Sequence, residues 1–341
     1  MKKNVYLILS TLFFNVMFIP LSQAEQGVVN IYSFRKVELI KPLIEEFTEE
    51  TGIKINIASG KADRLMQRLV QDGANSFADV LLTVGVDKLD EAKQLNLLKP
   101  INSTVLLANV PEDLRDPENY WFALSLRVRA IFYAKDRVDP TRLPSYESLL
   151  DKRWQGKICS RMGEHNYNRT MVASFLYHYG EDWAKNWVHH FTANLAMRPN
   201  GGDREQMRKV ARGDCDIAIA NSYYYGMLSD SIKQSDREVY QKIGIILPQN
   251  KKVGSHVNIS GAALTRSAKN IDNAIKFIEF LTTKKAQEIY SHANFEYPIR
   301  ADMHASKLIE SWGELNADTK SIVHLPLYHE QAAEIISQSN W

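Results

Sequence analysis

The chain contains 341 residues, of which 45% are hydrophobic, 24% are charged and 10% are aromatic, with 16 glycines and 11 prolines. This composition is typical of a globular protein, and it excludes a disordered chain, a collagen-like repeat and a small disulfide-rich scaffold. The length favours two domains of roughly 150 residues each. The 42 basic and 40 acidic residues give a formal net charge of +2, which argues against a nucleic-acid partner.

The first 24 residues have the parts of a secretory signal peptide. Lys2 and Lys3 give a basic start, an apolar stretch covers residues 5–19, and residues 21–24 include small side chains at the expected cleavage position. An uncleaved membrane anchor is the alternative, but the apolar run is shorter than the roughly 20 residues that cross a bilayer. We therefore expect cleavage near Ala24. The removed segment carries two lysines and no acid, so the exported chain is formally neutral.

Strands and helices alternate in the first part of the exported chain. Residues 28–32, 53–57 and 78–83 predict strands, and Gly52 predicts the end of the helix before the second of them. The apolar periodicity predicts helices around residues 39–47 and 65–70 between the strands. This alternation predicts a mostly parallel sheet with helices on its faces.

A long β-prone run at residues 120–133 carries Arg127 and Arg129, which share one face because side chains alternate along a strand. The alternation of strands and helices then begins again after Trp154. This second unit is predicted to contain strands at 157–160, near 195–198 and at 216–221, with helices at 168–178 and 204–211.

The last part of the chain returns through β-like segments at 243–247 and 257–264 and continues as a mainly helical remainder. Such a path suits two lobes joined by more than one crossing, with a ligand cleft outside the carboxyl ends of the strands. We assign residues 25–130 to the first part of lobe 1 and residues 131–255 to lobe 2. Residues 256–341 return to lobe 1 and supply C-terminal helices that pack across both lobes.

The two cysteines, Cys159 and Cys215, each lie beside a predicted strand. An exported chain meets an oxidising compartment, where neighbouring strands can hold such a pair as a disulfide. Two buried free thiols are the alternative.

Signature motifs of common enzymes are missing from the sequence. It has no glycine-rich phosphate loop, no G-x-S-x-G elbow, no H-E-x-x-H and no C-x-x-C. This favours a binding protein. The enzyme alternative is a secreted hydrolase that uses Glu164 and His165, beside which the sequence shows no nucleophile.

Tyrosines follow two predicted strands at the ends where a ligand would bind. The run Asn221-Ser222-Tyr223-Tyr224-Tyr225-Gly226 follows one strand, and Tyr167 lies between the preceding strand and its helix. Ordinary packing of tyrosines on strands is the alternative. Adjacent phenols converge only if the chain leaves the strand at this point, and we expect Gly226 to allow that turn.

Phenolates are hard anionic oxygen ligands, and a trivalent hard cation can deprotonate them at neutral pH. Three phenolates would match the charge of one ferric ion. Arg127 could then hold a small planar anion, such as carbonate, that completes the coordination shell.

The sequence resembles the periplasmic ferric-iron-binding proteins that serve ABC importers. The similarity extends over nearly the whole exported chain, in fragments whose order and spacing match the family at residues 29–33, 59–63, 78–80, 121–127, 154–158, 221–224, 260–262 and 296–298. The resemblance implies a two-lobed type II periplasmic binding protein, not an enzyme. It would be a monomer that binds Fe³⁺ in the periplasm and delivers it to an inner-membrane permease.

The resemblance also assigns residues to roles. The family's tyrosine ligands fall on Tyr167, Tyr223 and Tyr224, and its anion-contacting arginine falls on Arg127. Arg35 could assist Arg127 with the anion, and solvated charge on the cleft rim is the alternative for this basic pair. Tyr225 would only flank the site.

Lobe 1 departs from the family pattern. Positions where several members place a His, Tyr or Glu ligand are Lys36, Val37 and Val84 here, so we expect a site of tyrosines completed by an anion or water. A second interpretation keeps the fold but binds a small organic ligand, such as a polyamine, a thiamine-like molecule or an organic anion.

Overall fold

The computed structural model describes residues 27–249 and 253–341. The predicted signal peptide and its cleavage position lie outside these residues. Within the described ranges, no helix combines the length and apolar character that a bilayer crossing needs.

Ten strands are found in the described residues. They are β1 (Val28–Ser33), β2 (Lys54–Ser59), β3 (Val80–Thr83), β4 (Leu98–Lys99), β5 (Phe122–Ala134), β6 (Ile158–Cys159), β7 (Ile217–Asn221), β8 (Ile243–Ile246), β9 (Ser255–Thr265) and β10 (Ala317–Asp318).

A 3-10 helix at Ile322–Tyr328 precedes the last α-helix of the chain. α-Helices separate most of the strands. They are α1 (Val37–Thr51), α2 (Ala62–Asp72), α3 (Val86–Gln94), α4 (Thr104–Asn109), α5 (Asn166–Tyr179), α6 (Glu181–Ala193), α7 (Asp203–Arg212), α8 (Tyr223–Ser229), α9 (Gln234–Lys242), α10 (Ile271–Leu281), α11 (Lys284–Ala293), α12 (Lys307–Glu310) and α13 (His329–Ser337).

The strands form one path in the order β2-β1-β3-β9-β5-β7-β6, with β4 and β10 paired to β9 and β8 paired to β5. The pairs β1–β2, β1–β3 and β6–β7 are parallel. The strands β5 and β9 run antiparallel to their neighbours on the path. The α/β class is therefore confirmed, but the sheets are mixed rather than mostly parallel, because β5 and β9 return through them.

Strand β5 connects the two halves of the sheet. Its first part, up to Val128, pairs with β9, and from Arg129 onward it pairs with β7 and β8. Both β5 and β9 are buried along nearly their whole length, as expected for strands covered on both faces. The carboxyl ends of β1 and β3 lie in one half, and those of β6 and β7 lie in the other.

Amphipathic helices cover the sheet. In α1, Ile40, Leu43 and Phe47 recur at helical spacing and are fully buried, and the Phe47 ring packs 5.0 Å from the Phe277 ring of α10. Helix α1 ends at Gly52, whose φ of 72° is the left-handed conformation that glycine adopts most easily. Burial of each such aromatic side chain contributes about 1.5–3 kcal/mol.

The last segment of the chain contacts both halves. The 3-10 helix Ile322–Tyr328 packs against α3 and α5, and α13 packs against α5 and α6. One predicted strand is wrong: residues 195–198 form only an isolated bridge between Leu195 and Ile158.

Cys159 and Cys215 are joined by a disulfide, with 5.9 Å between their Cα atoms. Cys159 ends β6, and Cys215 lies two residues before β7, so the bond ties together the two strands whose ends lead to the tyrosines.

Candidate metal centre

Two helices that begin at the edge of one cavity carry the predicted tyrosine ligands. Tyr167 is the second residue of α5, and its backbone N–H donates to the Nδ1 atom of His165 over 3.2 Å. Tyr223 and Tyr224 open α8 directly after β7, because Ser222 already has helical backbone angles. The chain thus leaves the strand one residue before the tyrosine pair.

Gly226 does not make this turn, contrary to the expectation from the sequence. It lies inside α8, where a Cβ atom would overlap the ring of Phe295. Glycine is therefore needed for the close packing of α8 against Phe295, and the turn belongs to Ser222.

The structure brings the three tyrosines together. The hydroxyl oxygens of Tyr167 and Tyr223 are 3.4 Å apart, and the ring centroids of Tyr223 and Tyr224 are 4.1 Å apart. All three line a cavity of about 680 Å³ between the two halves of the sheet. Tyr225 differs, because its hydroxyl donates to the carbonyl of Ile243 over 3.0 Å.

Burial keeps the phenols of Tyr223 and Tyr224 neutral at pH 7. Burial, followed by the effect of Tyr167 and Tyr224, raises the pKa of Tyr223 well above its ordinary value. Burial likewise raises the pKa of Tyr224 to about 12. A trivalent cation within bonding distance would reverse this preference, since it stabilises the phenolate directly.

The three phenol oxygens are candidate metal donors at this cavity. In residues 27–249 and 253–341, no group of three or more His, Cys, Asp or Glu side chains is arranged to hold a metal ion. Hard oxygen donors suit hard cations, so the donor set fits a ferric ion better than a soft metal.

Arg127 is a buried cation beside the tyrosines. Its Nη2 atom donates to the carbonyls of Val84 and Ile259 over 2.7 and 2.6 Å, and its guanidinium lies 5.7 Å from the centroid of the Tyr167 ring. Its Nε atom is buried without a hydrogen-bond partner in the described part of the chain. A guanidinium that is 3% exposed and forms no ion pair with any described carboxylate is suited to an added anion.

Arg35 lines the same cavity, but its charge is already paired. Its Nη2 atom donates to Oε1 of Glu296 over 2.8 Å and its Nη1 atom to Oε2 over 3.1 Å, and both residues are almost fully buried. Burial alone would raise the pKa of Glu296, but Arg35 holds it below its ordinary value. Arg35 is therefore less available to an anion than Arg127.

The lobe 1 positions that depart from the family pattern offer no ligand side chain. Lys36 is exposed and lines the cavity, and Val37 is exposed at the start of α1. Val84 contributes its carbonyl to Arg127.

Asp203 connects the elements that position the tyrosines, a role that the sequence did not reveal. Its carboxylate accepts from Arg129 over 2.6 Å, from Arg161 over 3.0 Å and from the backbone N–H of Asn221 over 2.8 Å. Arg129 also donates to the side chain of Asn168 over 2.7 Å. Asp203 thus joins α7, β5, the end of β7 and the first turn of α5.

Arg127 and Arg129 share one face of β5, as predicted. The Arg129 and Arg161 guanidiniums lie 5.8 and 5.1 Å from the centroid of the Tyr167 ring, so three cations surround this phenol.

The loop between β6 and α5 is supported by Trp341, which the sequence analysis also missed. The indole N–H of Trp341 donates to Oγ of Ser160 over 2.8 Å, and its carbonyl accepts from the Gly163 N–H over 3.2 Å. A Cβ atom at Gly163 would overlap the Trp341 side chain. These contacts join residues 160–163 to the far end of the described chain, so nothing local in the sequence indicates them.

Glu164 and His165, the residues of the hydrolase alternative, lie at the start of α5. Glu164 is exposed, and His165 caps the helix through its contact with Tyr167. Burial, followed by the charge of Arg161, lowers the pKa of His165 to about 4, so the imidazole is neutral at pH 7.

The chain matches the sequence model of the bacterial extracellular solute-binding proteins over residues 75–316. It is 38% identical to iron uptake protein A1 of Synechocystis sp. over 317 residues, which cover 93% of this chain and 88% of that protein. The chain belongs to the bacterial extracellular solute-binding protein family. Proteins of this family are receptors for solutes.

Two solved structures are similar to this solute-binding protein over most of its length. One is Trichodesmium IdiA (FutA) in complex with iron and citrate ligands, with a TM-score of 0.87, 37% identity and coverage of 92% of this chain and 99% of that one. The other is the ferric binding protein from Campylobacter jejuni, with a TM-score of 0.85, 38% identity and coverage of 91% and 98%. The predicted two-lobed type II binding-protein fold is confirmed.

We predict that replacement of Asp203 by Asn destabilises the protein by about 3–5 kcal/mol, because two buried arginines lose their carboxylate. Burial would raise the pKa of Asp203, but Arg129 and Arg161 hold it below its ordinary value. Its stabilising contribution is therefore complete above pH of about 4 and is lost as the pH falls through the folded-state pKa. Urea unfolding at several pH values measures both effects.

Asp214→Asn is the matched control, because Asp214 forms only an exposed ion pair with Arg212. The difference in free energy of unfolding between wild type and Asp203→Asn should become smaller below pH of about 4. A deficit at pH 7 no larger than that of the control would contradict the structural role of Asp203.

Proposed function

We propose that this solute-binding protein is a periplasmic receptor for ferric iron that binds Fe³⁺ through Tyr167, Tyr223 and Tyr224. An anion such as carbonate on Arg127 completes the shell, and the loaded protein delivers its iron to an ABC-type permease in the inner membrane. The observation that carries the proposal is the convergence of three buried or half-buried phenols on one cavity. Beside them lies an arginine that has no ion-pair partner among the described residues.

The charge of the cavity supports an added anion. Six basic and four acidic side chains line it, a formal charge of +2 while the phenols are protonated. Binding of Fe³⁺ with loss of three phenolic protons leaves that charge unchanged. A bound anion lowers it, and Arg127 has a free buried donor with which to hold that anion.

The relatives support iron rather than an organic solute. Iron uptake protein A1 and the ferric binding protein from Campylobacter jejuni share 38% identity with this chain. The alternative of a polyamine, a thiamine-like molecule or an organic anion as the transported solute is not favoured. The same comparison supports a receptor without catalytic activity.

The two halves of the sheet are the proposed lobes. Residues 25–130 and 256–341 form lobe 1 with the C-terminal helices, and residues 131–255 form lobe 2, so the boundary crosses β5 near Arg129 and β9 near His256. The signal peptide is removed near Ala24, and the mature receptor acts as a monomer in the periplasm.

We predict that iron-loaded protein is orange to red, from phenolate-to-iron charge transfer. The double variant Tyr223→Phe/Tyr224→Phe should lose this visible band and more than about 100-fold in iron affinity, because two of the three phenolate ligands are removed. Visible spectroscopy and competition with a chelator measure both.

Tyr225→Phe is the matched control, since it removes the neighbouring hydroxyl, which donates to Ile243. It should keep both colour and affinity. A double variant that keeps the band and the affinity would show that the iron ligands lie elsewhere.

A second prediction concerns the anion. In wild-type protein, added bicarbonate should strengthen iron binding. In Arg127→Gln the increase in iron affinity caused by bicarbonate should be about tenfold smaller, because a charge-assisted hydrogen bond to the anion is removed. Titration of iron at several bicarbonate concentrations measures this dependence. An equal bicarbonate effect in both proteins would remove Arg127 from the anion site.

A further inference from the structure

Asn166, the residue before Tyr167, joins three separate parts of the chain. Its Nδ2 atom donates to Oδ1 of Asp87 in α3 over 2.9 Å, and its Oδ1 atom lies 3.0 Å from Nε2 of His329 at the start of α13. Both polar atoms of the amide are therefore used. The orientation of the side chain is fixed from two sides.

The contact with Asp87 crosses between the proposed lobes. Asp87 follows the loop at the end of β3, in lobe 1, and Asn166 is the first residue of α5, in lobe 2. The same lobe 1 loop is also held by the crossing strands, because the Val84 carbonyl accepts from Arg127 and the Val86 N–H donates to Oδ1 of Asn258 over 3.2 Å. The loop is thus a firm attachment point for α5.

Space around this contact is limited. A Cβ atom at Gly85 would overlap Oδ1 of Asp87 and would lie 3.1 Å from Nδ2 of Asn166. Asp87, Asn166 and His329 are each half-buried, so their hydrogen bonds are partly shielded from water. A hydrogen bond in such surroundings contributes more than an exposed one.

We propose that Asn166 is a positioning residue that ties the Tyr167 end of α5 to lobe 1 through Asp87 and so slows the release of bound iron. This inference rests on the proposed function of the tyrosine cluster. Opening of the cleft separates the lobes, and the Asp87–Asn166 hydrogen bond must break for α5 to move away from α3. Its loss therefore speeds iron release without removing any iron ligand.

The test is an exchange of the two side chains. In Asp87→Asn the new amide oxygen still accepts from Asn166, so the iron dissociation rate should match that of wild type. In Asn166→Asp two carboxylates face each other, and dissociation should become about tenfold faster. In the double variant Asp87→Asn/Asn166→Asp the hydrogen bond is restored with donor and acceptor exchanged, and the rate should return to within about twofold of wild type.

Decay of the visible band after addition of excess chelator gives the rates. A new carboxylate beside Tyr167 would by itself attract Fe³⁺ and slow its release, so faster release in Asn166→Asp comes from the lost bond. Asp63→Asn is the control for a charge lost from lobe 1, because Asp63 is exposed and pairs with Lys88. Equal rates in wild type and Asn166→Asp, or a double variant as fast as Asn166→Asp, would overturn the proposal.

Amide hydrogen exchange in the iron-free proteins tests the tie independently of iron. Exchange at residues 85–88 and 165–168 should increase in Asn166→Asp and return to the wild-type level in the double variant. Unchanged exchange in Asn166→Asp would also overturn the proposal. Absence of a visible band from all the iron-treated proteins would instead count against the tyrosine ligands, so the two failures are distinguishable.

Discussion

One buried carboxylate, that of Asp203, determines where the tyrosines can be. Burial of a carboxylate and two guanidiniums is costly unless each is paired and hydrogen-bonded, and Asp203, Arg129 and Arg161 meet this requirement together. Asn168 and Asn221 complete the arrangement, and they lie one residue after Tyr167 and two residues before Tyr223. The positions of both helix starts therefore follow from a network that contains no proposed iron ligand.

The same network determines the electrostatic character of the cavity. Burial raises the pKa of Tyr223 and Tyr224 and keeps them protonated, while the charges of Arg127 and Arg161 act in the opposite direction. The two effects oppose each other, and a bound trivalent cation would favour the phenolate form. Residues 25–341 carry 40 basic and 40 acidic side chains, so the electrostatic preference of the cavity comes from the local arrangement of charges. The charge on Arg35 is cancelled by Glu296, which leaves Arg127 as the buried cation beside the cavity without a paired carboxylate in the described chain.

Much of the fold could be predicted from local patterns. Strands such as β1, β7 and β9 and helices such as α1 and α7 have clear periodicity, and the positions after β6 and β7 identified the three tyrosines. The sequence did not predict the antiparallel paths of β5 and β9, because strand direction depends on contacts far along the chain. The short segment at 195–198 was wrongly predicted as a strand, since apolar residues alone do not supply a pairing partner.

The supporting residues of the site were harder to predict than the proposed ligands. Asp203 and Arg161 are ordinary charged residues in the sequence, and only the fold shows that they are buried against each other. Trp341 and Asn166 act through partners 181 and 79 positions away. Gly226 was expected to allow a turn, but the structure shows that glycine is needed there for packing against the ring of Phe295. Long-range contacts of this kind leave no local pattern.

The most direct test of the central claim is a crystal structure of the iron-loaded protein, with the metal located by its anomalous scattering at the iron absorption edge. We predict a single strong peak within bonding distance of the hydroxyl oxygens of Tyr167, Tyr223 and Tyr224, with an anion between the iron and Arg127. An iron peak away from these three oxygens, or one bonded to other side chains in their place, would contradict it.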